Sequence, residues 1–459
     1  MPRRIAQVAV VSALPGVLLA LALAGSLGGC REAGSVVLDA GQDASDDEAL
    51  GEPDGAEDDG GIADDGVEAT DEDHGAPDEG GGPDGDAGDP ADDGAQSLAI
   101  QRLGPTFEIP TVPGGKRHAD VAFDPLHEVY LVVHGNAPVG GAFLDSDGSP
   151  VGAPFEIPET DAWTQTPSVA WCPAAAGFLV VWHDTRANPD QAELRGRLVA
   201  LDGGAARMLG PDFGLGGGAS YQEVAAAIAC ATDVPECLVV WTLGTGALTA
   251  QRVGAAGALL GPALALSPAD WNADPAIALP PGGNAYLVAH SFADATGAAV
   301  HALLVEKGTS AILGPPQVLG QAAGTWAAQA QWDPLLGRFL TAWWDGAARG
   351  LFLGPDGSPQ GEPFPLAPGC GAYDGLALAY NPAAGLFAAA LHAQDAEDWA
   401  ALIGADGASG PCVPATASPA GTNGNYNPRI AAHATRPEWL LVSVRDYAVV
   451  VGQRLFGSW

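Results

Sequence analysis

The chain has 459 residues, with 56 acids against 18 bases and a net charge of −38. A surface this acidic repels phosphate backbones, and no basic stripe offsets it, so nucleic acid is excluded as a partner. The six cysteines and nine histidines show no Cys-x-x-Cys or His-Glu-x-x-His spacing, so neither a metal nor a cofactor is expected.

Residues 1–29 read as an export signal. Arg3 and Arg4 precede an apolar run from Ile5 to Leu27, and small residues follow. Pro15 and Gly16 interrupt the run, which argues against the alternative of a single membrane-spanning helix. Leu27-Gly28-Gly29-Cys30 resembles the lipobox of bacterial lipoproteins. That resemblance implies acylation at Cys30, attachment to the envelope membrane and, with Arg31 following, export to the outer membrane or cell surface.

Residues 30–96 form an acidic tether. Twenty-four acids lie between Glu32 and Asp93, and no base follows Arg31 until Arg102. Such a composition buries too little apolar surface to offset chain entropy and is expected to be disordered. At 66 residues after Cys30 it reaches on the order of 45 Å, and more where its charges repel. From residue 97 onward 32 acids face 15 bases, a net of −17.

Residues 97–459 are built on a repeat. A glycine followed within two residues by proline recurs at Gly104, Gly152, Gly210, Gly261, Gly314, Gly361 and Gly410, in steps of 47 to 58. A period near fifty marks stacked supersecondary units, none of which buries its apolar face alone. In the first unit, Asp120–Phe123, Val129–His134, Gly141–Asp145 and Pro154–Pro158 are short runs bounded by Gly, Pro and Asp-Gly. They read as four strands, a to d. Strand b recurs as Phe178–Trp182, Cys237–Trp241, Tyr286–His290, Phe339–Trp343, Leu386–Ala390 and Trp439–Ser443. A glycine between strands c and d, preceded by Asp at Asp147, Asp202, Asp356 and Asp406, predicts tight hairpins with both central residues at positive φ.

The strand counts expose the closure. Seven b strands and seven Gly-Pro d strands share only six c–d turns. The unmatched d strand (Pro105–Ile109) begins the domain and the unmatched c strand (Val449–Leu455) ends it. Pairing them turns the array into an all-β, seven-bladed β-propeller closed by its N-terminal strand. An open β-solenoid has no need to divide one unit between its ends. The copy Val180-Val-Trp-His-Asp184, with Gly196-Arg-Leu198 and Asp202-Gly203, resembles the repeats of seven-bladed propellers on bacterial surface lipoproteins. The paired glycines of kelch repeats and the Asp-boxes of sialidases are absent.

Export permits disulfides. Cys230 closes strand a and Cys237 opens strand b of the third repeat, while Cys370 and Cys412 bracket the sixth, giving two candidate pairs. Cys172 remains as a buried thiol in the place of Asp124, Asp333 and Asn381.

The d–a and b–c connections of a propeller emerge on one face. An aromatic residue recurs there at Trp163, Tyr221, Trp271, Trp326, Tyr373 and Tyr426, while the first copy carries Lys116 and His118. Acids such as Asp184 and Asp345 lie in the b–c connections. Aromatic faces beside acids and amides suit a sugar, although a residue repeated in every blade also serves as a packing wedge. His134 and His290 share the strand position of Trp182 and read as core histidines.

These features predict a membrane-anchored binding module for carbohydrate or protein ligands. The alternatives are an exported carbohydrate-active enzyme, with Asp184 and Asp345 as its carboxylates, and an envelope scaffold. No Gly-x-Ser-x-Gly or Walker loop occurs.

Overall fold

The structure, a computed structural model, describes residues 97–459 apart from 161, 189–190, 221–225, 243–245, 268–270, 295–296, 323–325, 394–396 and 418–424. The signal and tether expected over 1–96, Cys30 among them, lie outside the described residues. The described chain is an all-β, seven-bladed propeller. Its seven antiparallel sheets run from an innermost strand a to an outer strand d. The a strands are Gly115–Asp124, Thr164–Cys172, Ala227–Cys230, Trp271–Ala278, Trp326–Asp333, Ala372–Asn381 and Asn425–Ala432. A bridge from Asn136 to Gln165 links the first two blades.

Closure occurs as the strand counts require. The N-terminal strand Ala99–Glu108 pairs antiparallel with the C-terminal strand Val449–Ser458, from Ala99 opposite Ser458 to Glu108 opposite Val451. Thr106 and Gln453, 347 residues apart, join their side chains across this seam at 2.8 Å.

The core is a ring of seven apolar clusters, each shared by neighbouring blades. Strand b explains it. Tyr130 and Val132 face the cluster shared with blade 7, while Leu131 and Val133 face the one shared with blade 2. A strand buried on both faces must be apolar at consecutive positions, which is why the b strands read as unbroken runs. Trp182, Trp343 and Trp439 are fully buried at these interfaces.

The glycine-proline phrase is a bulge in strand d. Six of its seven glycines hold positive φ, from +73° at Gly104 to +130° at Gly210. At Gly104 the pairing register shifts between Leu103 and Phe107. A side chain disfavours that backbone, so the repeat conserves its own glycine. In blade 2 the outer strand divides into Ala205–Met208 and Phe213–Ser220, both paired to Gln191–Asp202. This division accompanies the longest step of the repeat.

A second glycine has a different cause. Gly141, Gly196, Gly350 and Gly452, all on c strands, lie opposite Phe155, Phe213, Phe364 and Phe107 on d strands. A Cβ at any of them would stand 2.7–2.9 Å from the ring. The phenyl group covers the bare backbone in each case.

The c–d hairpin of blade 2 takes the expected form, with Gly203 and Gly204 both at positive φ between the paired Asp202 and Ala205, whereas that of blade 1 differs. Gly148 donates to the carbonyl of Asp145 at 2.9 Å, and Asp145 donates back to Ser149 at 2.8 Å. Only the glycine takes positive φ, +82° here, while Asp147 does not. This is a three-residue loop ending in a left-handed glycine. Asp instead caps it: Asp356 Oδ1 accepts the Ser358 amide at 3.0 Å and Asp406 Oδ1 that of Ala408 at 2.9 Å.

Cys230 is bonded to Cys237, and Cys370 to Cys412. Cys172 is a free, buried thiol 3.5 Å from the sulfur of Cys237, and burial raises its pKa. Its sister residues Asp124, Asp333 and Asn381 each accept two amides of the a–b turn through one side-chain oxygen.

Candidate functional site

The seven a strands surround a central channel with a volume of about 260 Å³. Pairing register identifies one layer of seven equivalent positions in it. Asp120, Ser168, Ala227, Ala276, Gln329, Ala377 and Arg429 each pair with the same position of strand b, from Val133 in blade 1 to Val442 in blade 7. All seven line the channel. Three blades place alanine here, and four place Asp, Ser, Gln or Arg.

Asp120 and Arg429 come from adjoining blades across the closing seam. Asp120 Oδ1 accepts the Val121 amide and Oδ2 the Val169 amide of blade 2, both at 2.9 Å. It keeps a strip of surface on the channel but has protein on every side. Burial therefore raises its carboxyl above the usual carboxylate range, although Arg429 and the two amides pull the other way. Arg429 commits one nitrogen, Nη1, to the carbonyl of Pro428 at 3.0 Å. Among the described residues no carboxylate stands within 4.0 Å of its guanidinium.

Above this layer the a strands bulge. Register shifts fall between Gly115 and His118, Gln165 and Ser168, Ala273 and Ala276, Trp326 and Gln329, Ala372 and Leu376, and Tyr426 and Arg429. The bulges widen the upper mouth, the face carrying the d–a and b–c connections. A second cavity of about 420 Å³ opens there between blades 7 and 1, lined by Arg117, His118, Asn427 and Tyr447. Asn427 borders both spaces and donates to the Arg117 carbonyl at 3.4 Å. Lys116 is sealed below, its Nζ donating to the carbonyls of Val112 and Gly114 at 2.7 and 2.8 Å. Burial lowers its pKa.

The aromatic series divides between two levels: Trp163 and Trp271 lie two residues further from the channel layer than Trp326 and Tyr426, opposite Thr185 and Ala293 rather than Trp344 and Val444. Trp163 immediately precedes its a strand and is 38% exposed. Trp271 and Trp326 are the first residues of theirs, and Tyr373 and Tyr426 the second. Tyr221 lies outside the described residues.

The two acids are not equivalent. Strand b of blade 2 runs on to Asn188, so Asp184 lies inside the hairpin, opposite Glu193 and Thr164. It has no exposed surface, and its oxygens accept from Trp182 Nε1 at 3.0 Å and from Arg186 at 2.7–3.0 Å. Arg186 also grips Asp212, which Arg195 bonds in turn at 2.8 Å. Asp184 is a brace that no ligand can touch. Asp345 remains partly exposed beside Arg349, at 3.2 Å.

Sequence reading missed Asp120, Ser168, Gln329 and Arg429. Their signal is in the repeat: aligned a strands show polar residues where sister blades carry alanine.

No protein-family model matches the chain, and no curated protein matches it. Among solved structures, Raptor from Chaetomium thermophilum aligns at 10% identity and a TM-score of 0.50, covering 77% of this chain and 29% of that one. The chain thus spans under a third of that protein's length. The WD40 domain of coronin from Toxoplasma gondii aligns at 10% identity and 0.49, covering 78% and 86%. An α-L-arabinanase of Penicillium chrysogenum complexed with arabinobiose gives 9% and 0.46, covering 78% and 97%. At these identities the likeness concerns the fold alone.

Proposed function

We propose that the protein is an exported lipoprotein, anchored through Cys30, that presents the upper channel of its propeller as a carbohydrate-binding module. One observation carries this reading. A structural need recurs in every blade, whereas the channel layer at Asp120, Ser168, Gln329 and Arg429 breaks the repeat with four different polar groups. Hydroxyl, amide, carboxyl and guanidinium around one ring-sized space match the hydroxyls of a sugar, and Trp163, partly exposed just before its a strand, offers an aromatic face. Chain direction adds support. Strand Ala99–Glu108 starts at the lower face, opposite Ser458, away from the mouth.

A glycan array probed with the full chain tests the reading. Ser168→Ala and Gln329→Ala remove polar groups without stranding a charge, and each is expected to weaken the bound signal while the fold survives. Undiminished binding by the folded double variant, or no glycan bound at all, refutes it.

A further inference from the structure

The channel layer holds a cation that the fold does not use. In a domain where acids outnumber bases two to one, the other arginines of the blades are mostly spent on carboxylates. Arg186 holds Asp184 and Asp212, Arg252 holds Glu236, Arg349 holds Asp345, and Arg454 holds Glu438. Arg429 has the choice of Asp120 in the adjoining blade, yet no ion pair forms within 4.0 Å. Asp120 gives its two oxygens to the amides of Val121 and Val169 instead, bracing blade 1 against blade 2. The planar fork of Arg429 keeps most of its donors for the channel, since its single bond is to the neighbouring Pro428 carbonyl. A guanidinium in a narrow protein-walled space is weakly hydrated and suited to a two-pronged grip on a carboxylate.

From this geometry we infer that Arg429 is the anchor for a ligand carboxylate, and that the sugar admitted to the channel is a uronic acid. The inference rests on the carbohydrate reading of the same site. The channel volume of about 260 Å³ accommodates one sugar ring, not a folded partner. With the carboxylate on Arg429, the Gln329 amide and Ser168 hydroxyl of the same layer face the ring hydroxyls. Arg117 and His118 border the upper cavity on the approach. The net negative charge of the remaining surface disfavours long polyanions, so recognition of a single terminal uronate fits better than binding along an acidic polymer.

Calorimetric titration of the full chain with methyl β-D-glucuronide, and in parallel with methyl β-D-glucoside, tests this. The uronide is expected to bind and the glucoside to bind at least tenfold more weakly. Arg429→Gln should weaken uronide binding by about 10- to 100-fold, the value of charge-assisted bonds to one group. Arg429→Lys keeps the charge but loses the fork, so it should fall between. Near-ultraviolet dichroism confirms the fold of each variant, and rising salt should weaken uronide binding in the wild type and Arg429→Lys but not in Arg429→Gln. Equal affinity for the two glycosides, or uronide affinity indifferent to both Arg429 changes, overturns the inference while carbohydrate binding stands. Binding of a peptide C-terminal carboxylate in place of the uronide also overturns it. Silence on the glycan array removes the underlying reading as well.

Discussion

Gly452→Ala isolates the seam that closes the ring. An added Cβ would lie 2.7 and 2.8 Å from two carbons of the Phe107 ring and 3.2 Å from Ile109 Cδ1. Phe107 belongs to the N-terminal strand and packs against the cluster joining blades 7 and 1, so the ring can retreat only by lifting that strand. Overpacking of this kind costs about 1–3 kcal/mol. Phe107→Ala alone should cost about 2–3 kcal/mol, below the range for a fully buried ring because Phe107 is half-buried. In the double variant the clash has no partner, so its total should match Phe107→Ala and the cycle should show coupling close to the whole Gly452→Ala penalty. Gly350→Ala, with its Cβ 2.7 Å from Phe364, is the control away from the seam. Denaturant unfolding gives the energies, and limited proteolysis near Leu103 reports whether the N-terminal strand is released before the rest. Additive energies in the cycle, or equal protease sensitivity in the two glycine variants, would refute the reasoning.

Asp184→Asn should destabilise the fold by about 3 kcal/mol, the low end for breaking a buried ion pair, because Arg186 keeps Asp212. Ligand binding by the folded fraction should be unchanged, which titration at low temperature checks. Burial holds the His134 imidazole down to about 3 and that of His290 to about 4, with Lys116 and His301 adding repulsion. The folded state therefore stays neutral while the unfolded chain takes up protons below pH 6.5. Stability is complete above that value and falls as pH drops towards 4, by about 1.4 kcal/mol per pH unit for each histidine. Urea midpoints at pH 7 and 5 measure this, and a His134→Gln, His290→Gln double variant with the same pH dependence would contradict it.

The architecture was legible because its constraints repeat. A bulge needing positive φ writes a glycine into each unit, and a strand buried on both faces writes an unbroken apolar run. The division of blade 7 showed as a mismatch in strand counts. The hairpin form was judged rightly in blade 2 and wrongly in blade 1, because Asp-Gly supports two loop lengths and only hydrogen bonding separates them. At the site, the place of Trp163, Trp271, Trp326, Tyr373 and Tyr426 at the start of their a strands was readable, although their distance from strand b varies between blades. Asp184 was misplaced because the blade 2 hairpin extends four residues past the equivalent point, drawing an expected rim acid into the interior. Arg429 and Asp120 were hidden for another reason. They are unremarkable within their own strands, and they become neighbours only when the last blade closes on the first.

That closure also orders events during biogenesis. The strand Ala99–Glu108 is synthesised long before its partner Val449–Ser458. Until then the earlier strand waits unpaired, and Arg429 and Asp120 stay apart. A truncated or stalled chain consequently displays a bare β-edge and an unclosed channel. A closed channel thus records that synthesis has passed through strand Val449–Ser458.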